Sequence, residues 1–390
     1  MARYFLNVIF FLFCIHTALG QKINAGKEIK KAETQISFML EEIKKAETPR
    51  GEVSPRTIEG GRLKLVVSRD WTSGFFPGIL WYLYDYTKDK KWLKEAEIFT
   101  KKLEKEQFNK GTHDLGFMIY CSYGNGYRLT KDENYKKVIL QAASSLSSRF
   151  NPKTGVIKSW DHNRGKWQYP VIIDNMMNLE LLFEASKLSG DSSFYKIAVS
   201  HANTTLKNHF RTDNSSYHVV DYNPETGKVI KKMTHQGYAD ESAWARGQAW
   251  GLYGFTLCYR ETGNRIYLEQ AQKIADFYLN HPNLPEDLIP YWDFNAPNIP
   301  NEPRDASAAA ITASALYELA SYAPSKNYRQ QANAILANLS KFYKSPLKEN
   351  SGFILLHSTG HKPADSEIDV PLIYADYYYL EAILRSMTNR

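Results

Sequence analysis

Thr87-Lys88-Asp89, with Trp92 three residues on, decides the fold, because the same arrangement returns along the chain. It recurs as Thr130-Lys131-Asp132 with Tyr135, Ser189-Gly190-Asp191 with Tyr195, Thr262-Gly263-Asn264 with Tyr267, and Ser325-Lys326-Asn327 with Tyr328. Each copy joins a polar turn, a residue suited to cap a helix and an aromatic anchor, and each lies between two apolar segments of helical period. The repeating unit is a helical hairpin.

Helices on either side of these turns are expected at 22–48, 75–87, 90–107, 114–129, 134–150, 171–188, 191–209, 242–262, 265–280, 305–322, 326–343 and 371–387, twelve in all. Stacked hairpins form an open solenoid or a closed ring. Closure is favoured by the long connectors 49–74, 151–170, 210–241, 281–304 and 344–370, which all fall on one side of the hairpin pattern. They carry Gly, Pro, Asn and aromatic residues and two β-prone pieces, Tyr217 to Tyr222 and Phe353 to Leu356. The expected fold is all-α: a single α/α six-hairpin barrel over 21–390, with long loops and short β pieces gathered at one end, where binding sites are usually built.

Residues 1–20 read as a secretory signal peptide: an early Arg3, an apolar run from Phe5 to Cys14 too short to span a bilayer, and a small-residue exit at Ala18-Leu19-Gly20. The mature chain is expected to be exported, periplasmic or secreted, soluble without a membrane anchor, and a monomer or homodimer. Only Cys121 and Cys258 survive cleavage, both in apolar stretches, and read as small buried hydrophobes rather than a disulfide. The net charge of +7 is dispersed in Lys–Glu mixtures at 27–45 and 101–105. These are solvated helix faces and no nucleic-acid surface, although a mild positive field favours anionic oligosaccharides.

The chemistry concentrates in His235-Gln236-Gly237-Tyr238 and Trp244-Ala245-Arg246-Gly247-Gln248-Ala249-Trp250. Indoles offer flat faces to a pyranose, and a guanidinium offers a planar fork to a carboxylate or paired hydroxyls. Any one of these residues alone is ordinary core; together they suit a sugar acid. Asp114 and Asp174 both sit at loop-to-helix entrances. Helix capping is the plain role for either. Asp174, however, follows Val171-Ile172-Ile173 and precedes Met176-Met177, so its carboxyl is expected to be desolvated, to hold its proton and to act as a general acid. No zinc spacing, oxygen cage, nucleophile elbow, phosphate loop or dinucleotide motif is present, and no cofactor or metal is expected.

Six ordered segments, Ser68-Arg69-Asp70-Trp71-Thr72-Ser73-Gly74-Phe75-Phe76-Pro77-Gly78, His113-Asp114-Leu115-Gly116-Phe117, Ile173-Asp174-Asn175-Met176-Met177-Asn178, His235-Gln236-Gly237-Tyr238, Trp244 to Trp250 and Arg304-Asp305-Ala306-Ser307-Ala308-Ala309, resemble the unsaturated glucuronyl hydrolases of glycoside hydrolase family 88. The resemblance runs from about residue 30 to the C-terminus and implies an α/α six-hairpin barrel without cofactor. The implied substrates are oligosaccharides whose non-reducing end carries the 4,5-unsaturated uronic acid left by polysaccharide lyases. By that resemblance Asp174 protonates C4 of the enol ether and assists water at C5, and the hemiketal opens to release the glycosidic bond. Asp114 holds ring hydroxyls and tunes Asp174. Trp71, Trp244 and Trp250 wall the sugar; His218, Gln236 and Arg246 bind polar groups or water, with His113 and His235 beside them. His218 also reads as structural, because Ser216 to Val220 alternates like a strand. The loop His357 to Pro363, with Lys362, resembles the region that meets the next sugar, sometimes through a sulfate, although Gly360 and the two His leave few hydroxyl donors there. Two alternatives share the barrel: an unsaturated rhamnogalacturonyl hydrolase, and a non-catalytic sugar-binding protein, which would need neither carboxylate.

Overall fold

A computed structural model of the chain describes residues 23–48, 50–162 and 165–388; the expected leader lies outside them. Its helices are α1 (Ala25–Lys45), α2 (Phe75–Thr87), α3 (Lys90–Lys101), α4 (Asn125–Thr130), α5 (Glu133–Ser147), α6 (Asn175–Ser189), α7 (Ser192–Asn208), α8 (Ala245–Thr262), α9 (Arg265–Leu279), α10 (Ala306–Tyr322), α11 (Tyr328–Phe342) and α12 (Ile373–Met387). The helix expected at 114–129 forms in two parts, a π-helical stretch Gly116–Gly124 running directly into α4. The helix expected at 90–107 ends at Lys101, with a separate 3₁₀ turn at Glu104–Phe108.

The turn motif works by one repeated device. Lys88, Lys131, Gly190 and Gly263 adopt the left-handed conformation and close the preceding helix, their N–H groups bonding to the carbonyls of Tyr84, Tyr127, Ser186 and Tyr259. The next residue, Asp89, Asp132, Asp191 or Asn264, accepts from the backbone two residues on and starts the following helix. The fifth copy departs: Asn327 makes no side-chain cap. The anchors Trp92, Tyr267 and Tyr328 are buried, whereas Tyr195 is exposed and meets the core edge to face at Phe183, with ring centroids 5.6 Å apart.

Alternate helices form a closed ring. The packing runs from α2 to the π-helical segment, then to α6, α8, α10 and α12, and back to α2. Around it α3 lies on α2, α5 and α7 on α6, α9 on α8, α11 on α10 and α1 on α12. Composition explains which helix goes where. In α8 every residue from Ala245 to Cys258 is buried, as is every one from Phe75 to Leu83 in α2, and a helix enclosed all round belongs to an inner layer. In α3 only Trp92, Ala96, Phe99 and Thr100 are buried, a single stripe. Close inner contacts need small residues: a Cβ on Gly254 would stand 2.4 Å from the Met176 side chain.

The long connectors lead into the starts of the inner helices, so loops and positive helix ends converge at one mouth of the barrel. They carry three small sheets: a hairpin of β1 (Glu52–Glu59) with β2 (Arg62–Val67), the short pair β3 (Phe150–Asn151) with β4 (Val156–Ile157), and a three-stranded sheet of β5 (Pro170–Ile172), β6 (Val219–Tyr222) and β7 (Val229–Met233). The expected strand at Tyr217 to Tyr222 is β6. The piece Phe353 to Leu356 makes a single bridge, Leu355 to Lys344.

Candidate active site

Strand β5 runs straight into α6, and Asp174 stands at the junction. Ile173 N–H bonds to the His218 carbonyl at 3.0 Å, which ties the junction to β6. Asp174 occupies the helix-capping position, yet its side chain makes no capping bond. It is only 9% exposed, and Oδ2 has no hydrogen-bond partner among the described residues. Burial pushes its carboxyl up to about 7 and Asp114 adds to this, while Arg246, the local backbone and the Trp250 indole N–H pull the other way.

Asp114 precedes the π-helical segment and is held by Thr112, whose hydroxyl also accepts the Asp114 N–H at 3.0 Å. The Thr112 hydroxyl donates to Oδ2 at 2.8 Å, and His113 Nε2 lies 3.2 Å from Oδ1. The far nitrogen of His113 is 2.9 Å from the Ser159 carbonyl, so Nδ1 carries hydrogen, and burial holds the ring's pKa below its usual value. His218 is fixed in the other sense. Its Nδ1 accepts the backbone N–H groups of His235 and Gln236, each at 3.1 Å, which leaves the ring hydrogen on Nε2, 3.8 Å from Asp174 Oδ2. Burial, reinforced by His235, pushes the pKa of this ring well below the usual histidine range, so it is a neutral donor aimed at the acid.

Trp71, Asp114, Asp174, Gln236, Arg246 and Trp160 surround an inner cavity. It opens into an outer one that shares Trp71, Trp160, Gln236 and Arg246 and adds Arg56, His235, His361 and Glu367. Gln236 Nε2 donates to the Gly360 carbonyl at 3.1 Å, so its amide oxygen is the group left to accept from the cavity. Trp71 rests on Tyr374 with ring centroids 5.0 Å apart.

Several expected contacts lie elsewhere. Trp250 lines neither cavity: it is fully buried in α8 between Phe117 and Tyr378, at 5.2 and 5.5 Å, and its indole N–H, without a hydrogen-bond partner among the described residues, lies close enough to Asp174 to favour its ionised form. Trp244 is also buried, packed at a tilt against His218 at 4.6 Å and under the Arg246 guanidinium at 4.6 Å, so it supports polar groups instead of walling a sugar. The Arg246 fork is largely committed to protein: Nη1 bonds Asp305 at 2.8 Å and the Thr359 carbonyl at 2.5 Å, and Nη2 bonds the Gly360 carbonyl at 2.5 Å. His357 is exposed and paired with Asp369 at 2.7 Å, and Lys362 lies 4.0 Å from Glu302; neither lines the inner or the outer cavity.

Trp160, Arg56 and Glu367 escaped the sequence reading, which met His361 only as part of the loop expected to face the next sugar. His361 reaches the His235 carbonyl through Nε2 at 2.9 Å, and Arg56 grips Glu367 with two bonds of 2.5 and 2.9 Å. Burial also raises Glu180 to about 7 and Asp376 to about 8. Geometry separates them from Asp174: Asp376 accepts the N–H groups of Ile354 and Leu355, and Glu180 is bound to Arg260 beside a separate, third cavity among Tyr82, Tyr120 and Glu381. Among the described residues no three His, Cys, Asp or Glu side chains are placed to hold a metal ion, and no helix is long and apolar enough to cross a membrane.

The family model for Glycosyl Hydrolase Family 88 matches residues 11–386. The chain belongs to that family. It is 51% identical to an unsaturated glucuronyl hydrolase of Formosa agariphila over 322 residues, 82% of this chain and 80% of the relative. A crystal structure of an unsaturated glucuronyl hydrolase specific for heparin superposes with a TM-score of 0.87 at 49% identity, covering 93% of this chain and 97% of that one. That of the Bacillus sp. GL1 enzyme, responsible for the degradation of glycosaminoglycan, gives 0.85 at 34% identity, with 93% and 97% covered. The chain is thus a glycoside hydrolase of the unsaturated glucuronyl type, on the α/α six-hairpin barrel expected from the turn motif.

Proposed function

We propose that this enzyme removes a 4,5-unsaturated uronic acid from the non-reducing end of oligosaccharides by acid-catalysed hydration of the C4=C5 bond. The observation that carries this is Asp174: a carboxyl at a helix start that caps nothing, faces a cavity and holds its proton near neutral pH. It gives that proton to C4. Positive charge develops at C5, shared with the ring oxygen. Water, held by the Gln236 amide oxygen, adds at C5 and returns a proton to the Asp174 carboxylate. The resulting hemiketal opens at its C5–O bond to a ketone, and the hemiacetal left at C1 collapses to an aldehyde and releases the next sugar as an alcohol. His218, donating through Nε2, steadies the carboxylate while its proton is away. Asp114, fixed by Thr112, holds ring hydroxyls.

Separation rules for paired carboxylates at an anomeric carbon do not apply to this chemistry. Support for a glycosaminoglycan source comes from relatives: Streptococcus agalactiae has an unsaturated chondroitin disaccharide hydrolase 32% identical to this chain, and a mutant unsaturated glucuronyl hydrolase from that organism was crystallised with dGlcA-GalNAc6S. We place the enzyme outside the cytoplasm, where such fragments arise, on the strength of the apolar run in residues 1–20. The test is a panel of lyase-generated disaccharides: the ultraviolet band of the unsaturated uronate should disappear as free aglycone forms. A band that persists while the sugar binds would leave a sugar-binding protein.

A further inference from the structure

Asp305 lines neither cavity and is fully buried, yet it is the most heavily bonded carboxylate near the site. Oδ1 accepts from Ser307 N and Oγ, from Ala308 N and from Thr359 N, and Oδ2 takes Arg246 Nη1 at 2.8 Å. A helix cap needs only the first of these groups of bonds. The ion pair is something more, because both partners are essentially inaccessible, at 1% and 0% side-chain exposure.

The groups that face Asp174 are Asp114 from the start of the π-helical segment, His218 from the entry to β6, and Arg246 and the Trp250 N–H from α8. His113 acts behind Asp114, and His235 and His361 behind His218. Arg246 is the one fixed cation among those that line the inner cavity. An uncompensated guanidinium there would draw the proton off Asp174. The same guanidinium holds the Gly360 carbonyl that also receives the Gln236 amide.

We propose that Asp305 is a positioning residue for the reaction: its carboxylate neutralises and orients Arg246, which keeps the proton on Asp174 and keeps the Gln236 amide turned so that its oxygen faces the water. This rests on Asp174 being the acid. The device links the start of α10 to that of α8 and, through Thr359 and Gly360, to the loop that closes the outer cavity.

Asp305→Asn tests it, since an amide oxygen still caps α10 while the charge is gone. The loss of rate with rising pH should move about one unit to lower pH, an opposite charge having lost its counterweight. Rate at pH 7 then falls about fivefold, with little change near pH 5. A loss equal at every pH, with the limb unmoved, overturns the proposal. Because a lone buried charge destabilises, the double variant Arg246→Met/Asp305→Asn removes both charges and serves if the single variant does not fold. Its limb should stay within about half a unit of the wild type; a rise of about a unit or more shows that Asp305 did not neutralise Arg246. Titration of the Asp174 carboxyl by ¹³C NMR reads the same shift without turnover. A carboxyl that shifts while the rate profile stays put sinks the acid assignment and leaves the Asp305 effect standing.

Discussion

Replacing Asp174 by Asn removes the transferable proton and keeps the side chain's shape. In the folded chain this carboxyl ionises near 7, against an ordinary value of 3.8. Protonation raised in this way means that the folded state binds more protons than the unfolded one between those values, so folding stability falls as pH rises through that window and levels off above it. A gap of about three units corresponds to roughly 4 kcal/mol at pH 8 and about 2 kcal/mol at pH 5.5. The Asn variant escapes that cost. Calorimetry should therefore show it melting several degrees above the wild type at pH 8, with a smaller gain at pH 5.5. Turnover should fall about a thousandfold, within the span expected for loss of a general acid, while affinity for the unsaturated disaccharide is retained. A variant that turns over normally, or one that gains no stability between pH 5.5 and 8, would refute the assignment of this group as a buried, protonated acid.

The wild-type rate should decline above about pH 7 as the acid loses its proton, which a pH profile of kcat/KM reads directly. Trp250→Phe keeps the packing against Phe117 and Tyr378 but deletes the N–H that favours ionised Asp174, so its basic limb should move to higher pH with KM nearly unchanged. A raised KM with a fixed limb would return Trp250 to the sugar wall. Trp71→Ala should raise KM about tenfold with a smaller effect on kcat, since the ring lines both cavities and loss of an aromatic face is worth about 1–1.5 kcal/mol.

The barrel was legible because its turns are local. Lys88 or Gly190 closing one helix and Asp89 or Asp191 opening the next fit within a few residues. Asp174 was legible because three apolar residues before it and two Met after it announce burial. Trp71 was read correctly, but Trp244 and Trp250 were not. Trp250 sits in a helix that is buried all round, so spacing alone does not say whether a ring faces a cavity or the core. The π-helical turn at Gly116–Gly124 has no periodic signature. Arg56 and Glu367 meet across 311 residues, a pairing that no local pattern encodes. The β1–β2 hairpin did carry a signal: Gly60-Gly61, both at positive φ, form its turn.

The central claim is that a proton from the enzyme arrives at C4 and a water oxygen at C5. Reaction of an unsaturated disaccharide in D₂O, followed by NMR, reads this directly. One deuterium should enter at C4 of the released acid in the wild type and essentially none in Asp174→Asn. A product that keeps the double bond, or that carries no deuterium at C4, would contradict the account.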